Sequence, residues 1–289
     1  MRPEGEITRG TTNPSRLRRV DRWITQAQRS VLRAGDRPLL VDLGFGASPV
    51  TTVELYRRVR AVAPDAEVVG LEIDQERVAA ARRRLAARRA AGDELAGLSF
   101  GVGGFELPVA RRPALVRAFN VLRQYQEEQA WAAWSRLRAG LAAGGVLVEG
   151  TCDEIGRRAA WVTLPACPAS AFPSSAAPGS APSAALITFS ARLASLDRPS
   201  DLAERLPKTL IHRNVPGEPV HAFLRDFDRA WDRAAPYSAF GPRQRWLAAV
   251  ASLSDGWPVL RHPPYGGRGR WRLGELTLPW AALAPAGGK

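Results

Sequence analysis

The chain of 289 residues is poor in several residue types, and each shortage excludes something. It has two cysteines, Cys152 and Cys167, so no disulfide framework holds it together and a reducing cytoplasm is the expected setting. Its three histidines, His212, His221 and His262, are too dispersed to join those thiols in a zinc site, and no metal is expected. No stretch approaches the ~20 apolar residues of a membrane helix. The opening MRPEGEITRGTTNPSRLRR lacks the apolar core of a secretory signal, so no membrane partner is expected. Lysine is nearly missing: Lys208 and Lys289 are the only two, although Lys+Arg total 41 against 28 Asp+Glu, for a net charge of +13. The positive charge is therefore almost wholly arginine. It falls in scattered groups such as Arg57, Arg58 and Arg60, or Arg82, Arg83 and Arg84, without the interleaved aromatics of a base-stacking surface. That balance admits a polyanion such as RNA as partner, and it equally fits a compositional bias in a chain rich in Ala, Gly and Pro.

With 45% hydrophobic and 24% charged residues, the chain can bury a sizeable core. A helix is expected from Asn13, with Asn13 as cap, Pro14 in the first turn, and Leu17, Val20, Trp23, Ile24, Val31 and Leu32 as one apolar stripe ending before Gly35. PLLVDL at 38–43 is a continuous apolar run of the kind that forms a buried parallel strand. Helical and strand patterns then alternate: a helix over 51–63, a strand over 67–73, a helix over 75–91, strands over 98–102 and 114–119, a helix over 127–141 and a fifth strand over 145–149. Such alternation implies βαβ units and a parallel sheet covered by helices on both faces. Between the fifth strand and AAWVTL lie only residues 152–158, too few for a crossover helix, so a hairpin is expected there. Pro165–Ser183 is Pro/Ala/Ser-rich and reads as a flexible surface loop. Beyond it the pattern gives a strand over 185–191, helices over 218–234 and 242–254, and a terminal strand over 271–278.

The most informative stretch is VDLGFGASP at 41–49, at the end of the first strand. Gly44 and Gly46 let the backbone turn sharply and approach a ligand, at the sheet edge where open parallel sheets bind. The dinucleotide fingerprint needs a third glycine where Pro49 stands. Asp42, two residues before the turn, would repel a pyrophosphate and suits a ligand with an ammonium group. Glu72 ends the second strand in VVGLEID, from where a carboxylate can accept both ribose hydroxyls of a nucleoside lying across the turn. A cationic nucleoside without phosphate meets both demands, and S-adenosylmethionine is one.

VDLGFGASP followed by VVGLEIDQERVAAARRRL resembles the first two motifs of class I S-adenosylmethionine-dependent methyltransferases, a likeness covering residues 38–164. The resemblance implies an α/β, Rossmann-like fold with a mostly parallel seven-stranded sheet whose last strand is antiparallel. To this the chain adds an N-terminal helix and a C-terminal helical elaboration. The expected division is an N-terminal segment over 1–36, a cofactor-binding domain over 37–200 with a flexible loop at 165–184, and the elaboration over 201–289. By the same resemblance, the methionine moiety lies near Gly44 and Gly46, with Ser48 in place of the third glycine, and the ribose on Glu72. Adenine is expected on the backbone at Gly103 and Gly104 and on Phe105, because the acidic residue that often follows the third strand is absent. Asn120, ending the fourth strand in VRAFNVLRQY, falls where many family members place a residue facing cofactor and substrate. Asn120 and Arg123 are the catalytic candidates, with Arg117 and Tyr125 as further polar groups nearby.

GGVLVEGTCDE also resembles the Thr-Cys motif of RNA cytosine-5 methyltransferases, which would make Cys152 a nucleophile. The Asp-Ala-Pro-Cys run that accompanies it is replaced by Phe119–Asn120–Val121–Leu122, and a lone strand-end cysteine is expected to be a small buried hydrophobe. Thr11, Thr12 and Asn13 precede the first helix. Such leading segments often fold over the cofactor pocket in this family, but a helix cap is the expectation here. Three functions stay open: methyl transfer to a small-molecule acceptor, which is favoured; methylation of RNA drawn by the arginines; and cofactor binding without catalysis.

Overall fold

A computed structural model describes residues 3–7, 12–167 and 184–285. Thr11 and residues 168–183 of the expected Pro/Ala/Ser loop lie outside the described residues. Among the described residues, eight strands form one sheet: β1 (Leu39–Leu43), β2 (Glu67–Glu72), β3 (Leu98–Val102), β4 (Leu115–Phe119), β5 (Val146–Cys152), β6 (Arg158–Pro165), β7 (Leu186–Ala191) and β8 (Glu275–Pro279). Their spatial order is β3-β2-β1-β4-β5-β6-β7-β8. The first five run parallel, and β6, β7 and β8 each pair antiparallel with their neighbour. Every residue of β1, β4 and β5 is buried, so these strands are mostly apolar, and each carries one charged residue, Asp42, Arg117 or Glu149, inside the sheet.

The expected seven-stranded sheet is thus corrected to a mixed, eight-stranded one. The turn between β5 and β6 shows the physical reason for the hairpin. The Asp153 carboxylate accepts the backbone N–H groups of Ile155, Arg157 and Arg158 at 3.1, 2.9 and 2.9 Å, closing a tight turn on its own side chain. The C-terminal segment then completes the sheet with β8, which begins at Glu275 rather than Trp271 because residues 268–271 form a helical turn.

The helices are α1 (Arg18–Ala27), α2 (Arg29–Leu32), α3 (Val50–Arg60), α4 (Gln75–Ala90), α5 (Glu127–Gly140), α6 (Lys208–Ile211), α7 (Pro219–Arg233), α8 (Pro242–Leu253) and α9 (Arg268–Trp271). Among the described residues no helix is long and apolar enough to cross a membrane. The expected first helix starts late, because Ser15 has a left-handed backbone (φ 62°). The Asn13 amide reaches the Glu154 carbonyl at 3.0 Å instead of capping. On one face of the sheet, α1, α3 and α4 cover a core that includes Trp23 and Trp161, whose rings meet edge to face at 5.4 Å. On the other, α5, α7 and α8 cover a core whose aromatics include Trp134, Phe223, Phe227 and Trp246.

Candidate functional site at the carboxyl edge of the sheet

Strand order reverses between β1 and β4: β2 and β3 lie to one side of β1, and β4 and β5 to the other. The two loops leaving β1 and β4 therefore diverge to opposite faces and leave a crevice between them, the usual ligand position in an open α/β sheet. Gly44 and Gly46 stand on one lip with φ of 70° and 76°, a backbone that side-chain-bearing residues rarely adopt. Ser48 is half-buried in the same turn, ahead of Pro49 at the head of α3.

Glu72, at the tip of β2, is buried and turned into this loop. Its Oε2 accepts the Gly46 N–H at 2.8 Å and its Oε1 accepts the Ile73 N–H at 3.0 Å. Arg77 approaches the same carboxylate at 3.8 Å from the first turn of α4. Asp74, beside it, caps α4 by accepting the N–H groups of Glu76 and Arg77 at 2.8 and 3.2 Å. The two acidic residues at this strand end thus divide the work, with Glu72 on the glycine turn and Asp74 on the helix.

Asp42 does not share the crevice with Glu72, and the expectation that it meets a ligand's ammonium is corrected. Its side chain points to the α1/α3 face, where Arg117 of β4 donates to it from Nε at 2.9 Å and Nη2 at 2.7 Å. Thr52 Oγ1 donates to the same carboxylate at 2.6 Å. Asp42 and Arg117 are direct register partners across β1 and β4, so the sheet itself brings them together. Arg117 also donates to Asp21 of α1, which Arg58 of α3 engages from its other side at 2.7 Å. Burial pulls the Arg117 pKa down, but Asp42 and Asp21 outweigh it and hold it above the ordinary arginine value. Burial raises Asp21 to about 6, against the opposing pull of Arg117 and Arg58. This buried network of two carboxylates and two guanidiniums ties α1, β1, α3 and β4 together beneath the turn.

Residues 3–7 cross the opposite lip, a feature with no periodicity to announce it in the sequence. The Glu4 carbonyl accepts the Phe105 N–H at 3.0 Å, and the Glu6 N–H donates to the Tyr125 hydroxyl. Gln124 holds the Glu6 carbonyl at 3.1 Å. A Cβ at Gly104 would lie 1.9 Å from the Glu4 carbonyl oxygen, so this strap requires glycine there. Gly104 N–H donates to Glu106 at 3.0 Å. The backbone N–H groups of the two glycines expected to meet adenine are engaged within the chain, Gly103 with the Glu72 carbonyl at 3.1 Å and Gly104 with Glu106. The strap packs closely here: a Cβ at Gly5 would sit 2.9 Å from the Tyr125 hydroxyl, 3.0 Å from Ile73 and 3.6 Å from Phe105.

Asn120 closes the fourth strand in a left-handed conformation, with φ of 59°. Its amide spans to β5, accepting the Cys152 N–H at 3.0 Å and donating toward the Cys152 sulfur at 3.4 Å. Both halves of the amide are thus engaged, and the residue locks the β4 and β5 tips together. Burial pushes the Cys152 thiol pKa up, which suits a buried strand-end cysteine and not a nucleophile. Arg123 donates to the Glu204 carbonyl at 2.8 Å. Burial, then Arg205, lowers its pKa.

No protein-family model and no curated protein sequence matches the chain. Solved structures do. Magnesium protoporphyrin IX methyltransferase from Synechocystis with bound S-adenosylhomocysteine is 19% identical, with 47% of this chain on 54% of that one and a TM-score of 0.36. The cyclopropane synthase MmaA2 of Mycobacterium tuberculosis is 16% identical, with 49% of this chain on 48% of that one and a TM-score of 0.35. An O-methyltransferase of neocarzinostatin biosynthesis, in complex with S-adenosylhomocysteine and 1,4-dihydroxy-2-naphthoic acid, is 19% identical, with 47% of this chain on 39% of that one and a TM-score of 0.31. The chain thus spans about half, or less, of the length of the structures it matches.

Proposed function

We propose that this chain binds S-adenosylmethionine in the crevice between β1 and β4 and transfers its methyl group to a small-molecule acceptor. The observation that carries the reading is the Glu72 carboxylate bonded to the Gly46 N–H, at 2.8 Å, across the glycine turn. A carboxylate so placed accepts the hydroxyls of a ribose laid over that turn. Pro49 supports a ligand without pyrophosphate, because it brings no N–H to the head of α3 where phosphates are usually held. Ile73 and Phe105 are the apolar side chains beside that turn, with the strap packed against them.

The cofactor supplies an electrophilic methyl group when bound, so the protein needs chiefly to align the acceptor and exclude water. Gly44, Gly46 and Ser48 shape the backbone against the methionine end, and Glu72 orients the ribose. The strap at Glu4–Glu6 covers the edge, and Asn120 fixes the tip from which the acceptor side is built. Residues 37–200 form the cofactor-binding part and residues 201–289 the acceptor side in this reading. A cytoplasmic setting belongs to the same proposal and rests on Cys152 and Cys167, both free thiols.

Calorimetric titration of S-adenosylmethionine into the wild type and Glu72→Gln tests it. Loss of hydrogen bonds to a charged group predicts an affinity lower by about 10- to 100-fold in the variant. Labelled methyl from the cofactor is expected in the small-molecule fraction of a cell extract. Binding of NAD in place of S-adenosylmethionine, or label entering RNA, would sink this reading.

A further inference from the structure

A second concavity opens at the same carboxyl edge of the sheet, beyond β6. It is a cleft of about 610 Å³ between α1, the ends of β7 and β8, and the head of α8. Six arginines line it: Arg18, Arg19, Arg22, Arg192, Arg243 and Arg272. None of the six forms an ion pair among the described residues, although arginines elsewhere are widely paired, as in Arg37 with Glu67 or Arg213 with Glu127. Glu275 is the single acidic residue in the lining, and its carboxylate is engaged by Arg270 at 3.1 Å. Arg19 is half-buried and donates to the Leu273 carbonyl at 2.9 Å, which fixes its guanidinium in the wall. Burial lowers the Arg19 pKa; Glu275 opposes this, while Arg192 and Arg22 add to it. Guanidiniums crowded together without carboxylate partners repel one another, and an anion among them relieves that repulsion.

Two further features point to the kind of anion. The head of α8 enters the cleft at Gly241–Pro242–Arg243 with no side chain capping it, so the positive end of a twelve-residue helix adds to the arginines. Phe240, 75% exposed, stands on the rim beside Leu273 and offers an apolar face next to the charge. The volume lies in the range of small-molecule sites, roughly 300–1,000 Å³. The arginines converge on one hollow instead of tracking a groove, which suits a compact ligand better than a strand of nucleic acid.

We propose that this cleft is a binding site for a phosphorylated small molecule of about mononucleotide size, its phosphates on the arginines and its apolar part against Phe240. Four strand spacings of ~4.8 Å separate β1 from β7, placing the cleft roughly 19 Å along the edge from the glycine turn. It is a separate site, and it stands or falls without the methyl-transfer reading: pyrophosphate binding can fail while S-adenosylmethionine binds, and the reverse.

The test titrates inorganic pyrophosphate and ADP into the full chain by calorimetry. Arg192→Ser/Arg243→Ser empties two positions of the cleft, and Arg83→Ser/Arg84→Ser removes the same charge from the exposed face of α4. Pyrophosphate and ADP are expected to bind the wild type and the α4 variant alike, and the cleft variant at least about tenfold more weakly, with ADP tighter than pyrophosphate through Phe240. Should the cleft variant not fold, Arg22→Ser/Arg243→Ser reads the same loss. Absence of pyrophosphate binding, or equal weakening in the cleft and α4 variants, overturns the proposal. So does a single-stranded RNA that binds where pyrophosphate does not.

Discussion

The two faces of the sheet handle buried charge in opposite ways. On the face under α1 and α3, Asp21, Asp42 and Arg117 are buried together and Arg58 joins them from the rim. On the face under α5 and α7, one carboxylate, Glu149, is buried among aromatics with no cation beside it. Trp134 Nε1 donates to Glu149 Oε2 at 3.1 Å, and Oε1 has no partner among the described residues. Burial pushes Glu149 up to about 8, with the Trp134 bond pulling the other way. One face therefore neutralises charge with charge, the other with a proton. The difference follows the site: the ion network lies directly under the glycine turn, where directional bonds hold two strand tips and two helices in register.

The sharpest way to break this comparison is Arg117→Met. Removing the shared partner leaves buried Asp42 without a cation and Asp21 with Arg58 alone, and the expected loss is about 3–5 kcal/mol in urea unfolding. Arg117→Met combined with Asp21→Leu and Asp42→Leu removes the whole buried set, leaving Arg58 its bond to Glu54 at 3.4 Å. That triple variant is expected to recover most of the loss, because buried ion sets and apolar sets of similar size are often near parity. Its cofactor affinity should nevertheless stay below the wild type if the network serves to hold the turn. Full recovery of both would reduce the network to an accident of composition.

This pairing also marks where the sequence stopped being legible. β1, β2, β4 and β5 were readable because burial leaves short, mostly apolar runs, and the hairpin followed from a linker too short to cross over. The turn at Gly44 and Gly46, which the Glu72 carboxylate holds through the Gly46 N–H, was readable because it is local to two strand ends. Asp42 was not, because its partner lies 75 residues away and is defined only by the register of β1 on β4. A lone carboxylate near a ligand turn looks the same whether it faces a ligand or an arginine. The strap at residues 3–7 was hidden for another reason: an extended segment held by its own carbonyls has no periodicity, and its one signal was the pair of glycines, Gly5 and Gly104, that let it pass.

A smaller substitution sharpens the contrast within the network itself. Thr52→Val keeps the shape of the side chain and removes the hydroxyl that donates to Asp42 at 2.6 Å. Loss of one hydrogen bond to a charged group predicts about 1.5–3 kcal/mol of destabilisation in urea unfolding, with α3 retained by circular dichroism. A change near zero would mean that Arg117 alone satisfies Asp42 and that α3 is not tied to the network through this threonine.

The least effect at acid pH, and the most diagnostic pH dependence, belongs to Glu149. Its folded pKa of about 8 lies above the ordinary 4.5, so the folded protein keeps a proton that the unfolded chain has released. Stability from this group is fully present below the ordinary value and is lost as pH rises through the folded one. Asp21, raised only to about 6 from 3.8, makes its own contribution of the same sign earlier in the titration. Above pH 6 the decline should therefore belong to Glu149. Glu149→Gln preserves an acceptor for Trp134 and cannot ionise. At about pH 6 the variant and wild type should differ by about 1 kcal/mol or less. Between there and about pH 9 the wild type should lose stability while the variant stays level. Parallel decline in both proteins would place the titrating group elsewhere, and the face under α5 would then have to hold its carboxylate charged without a cation.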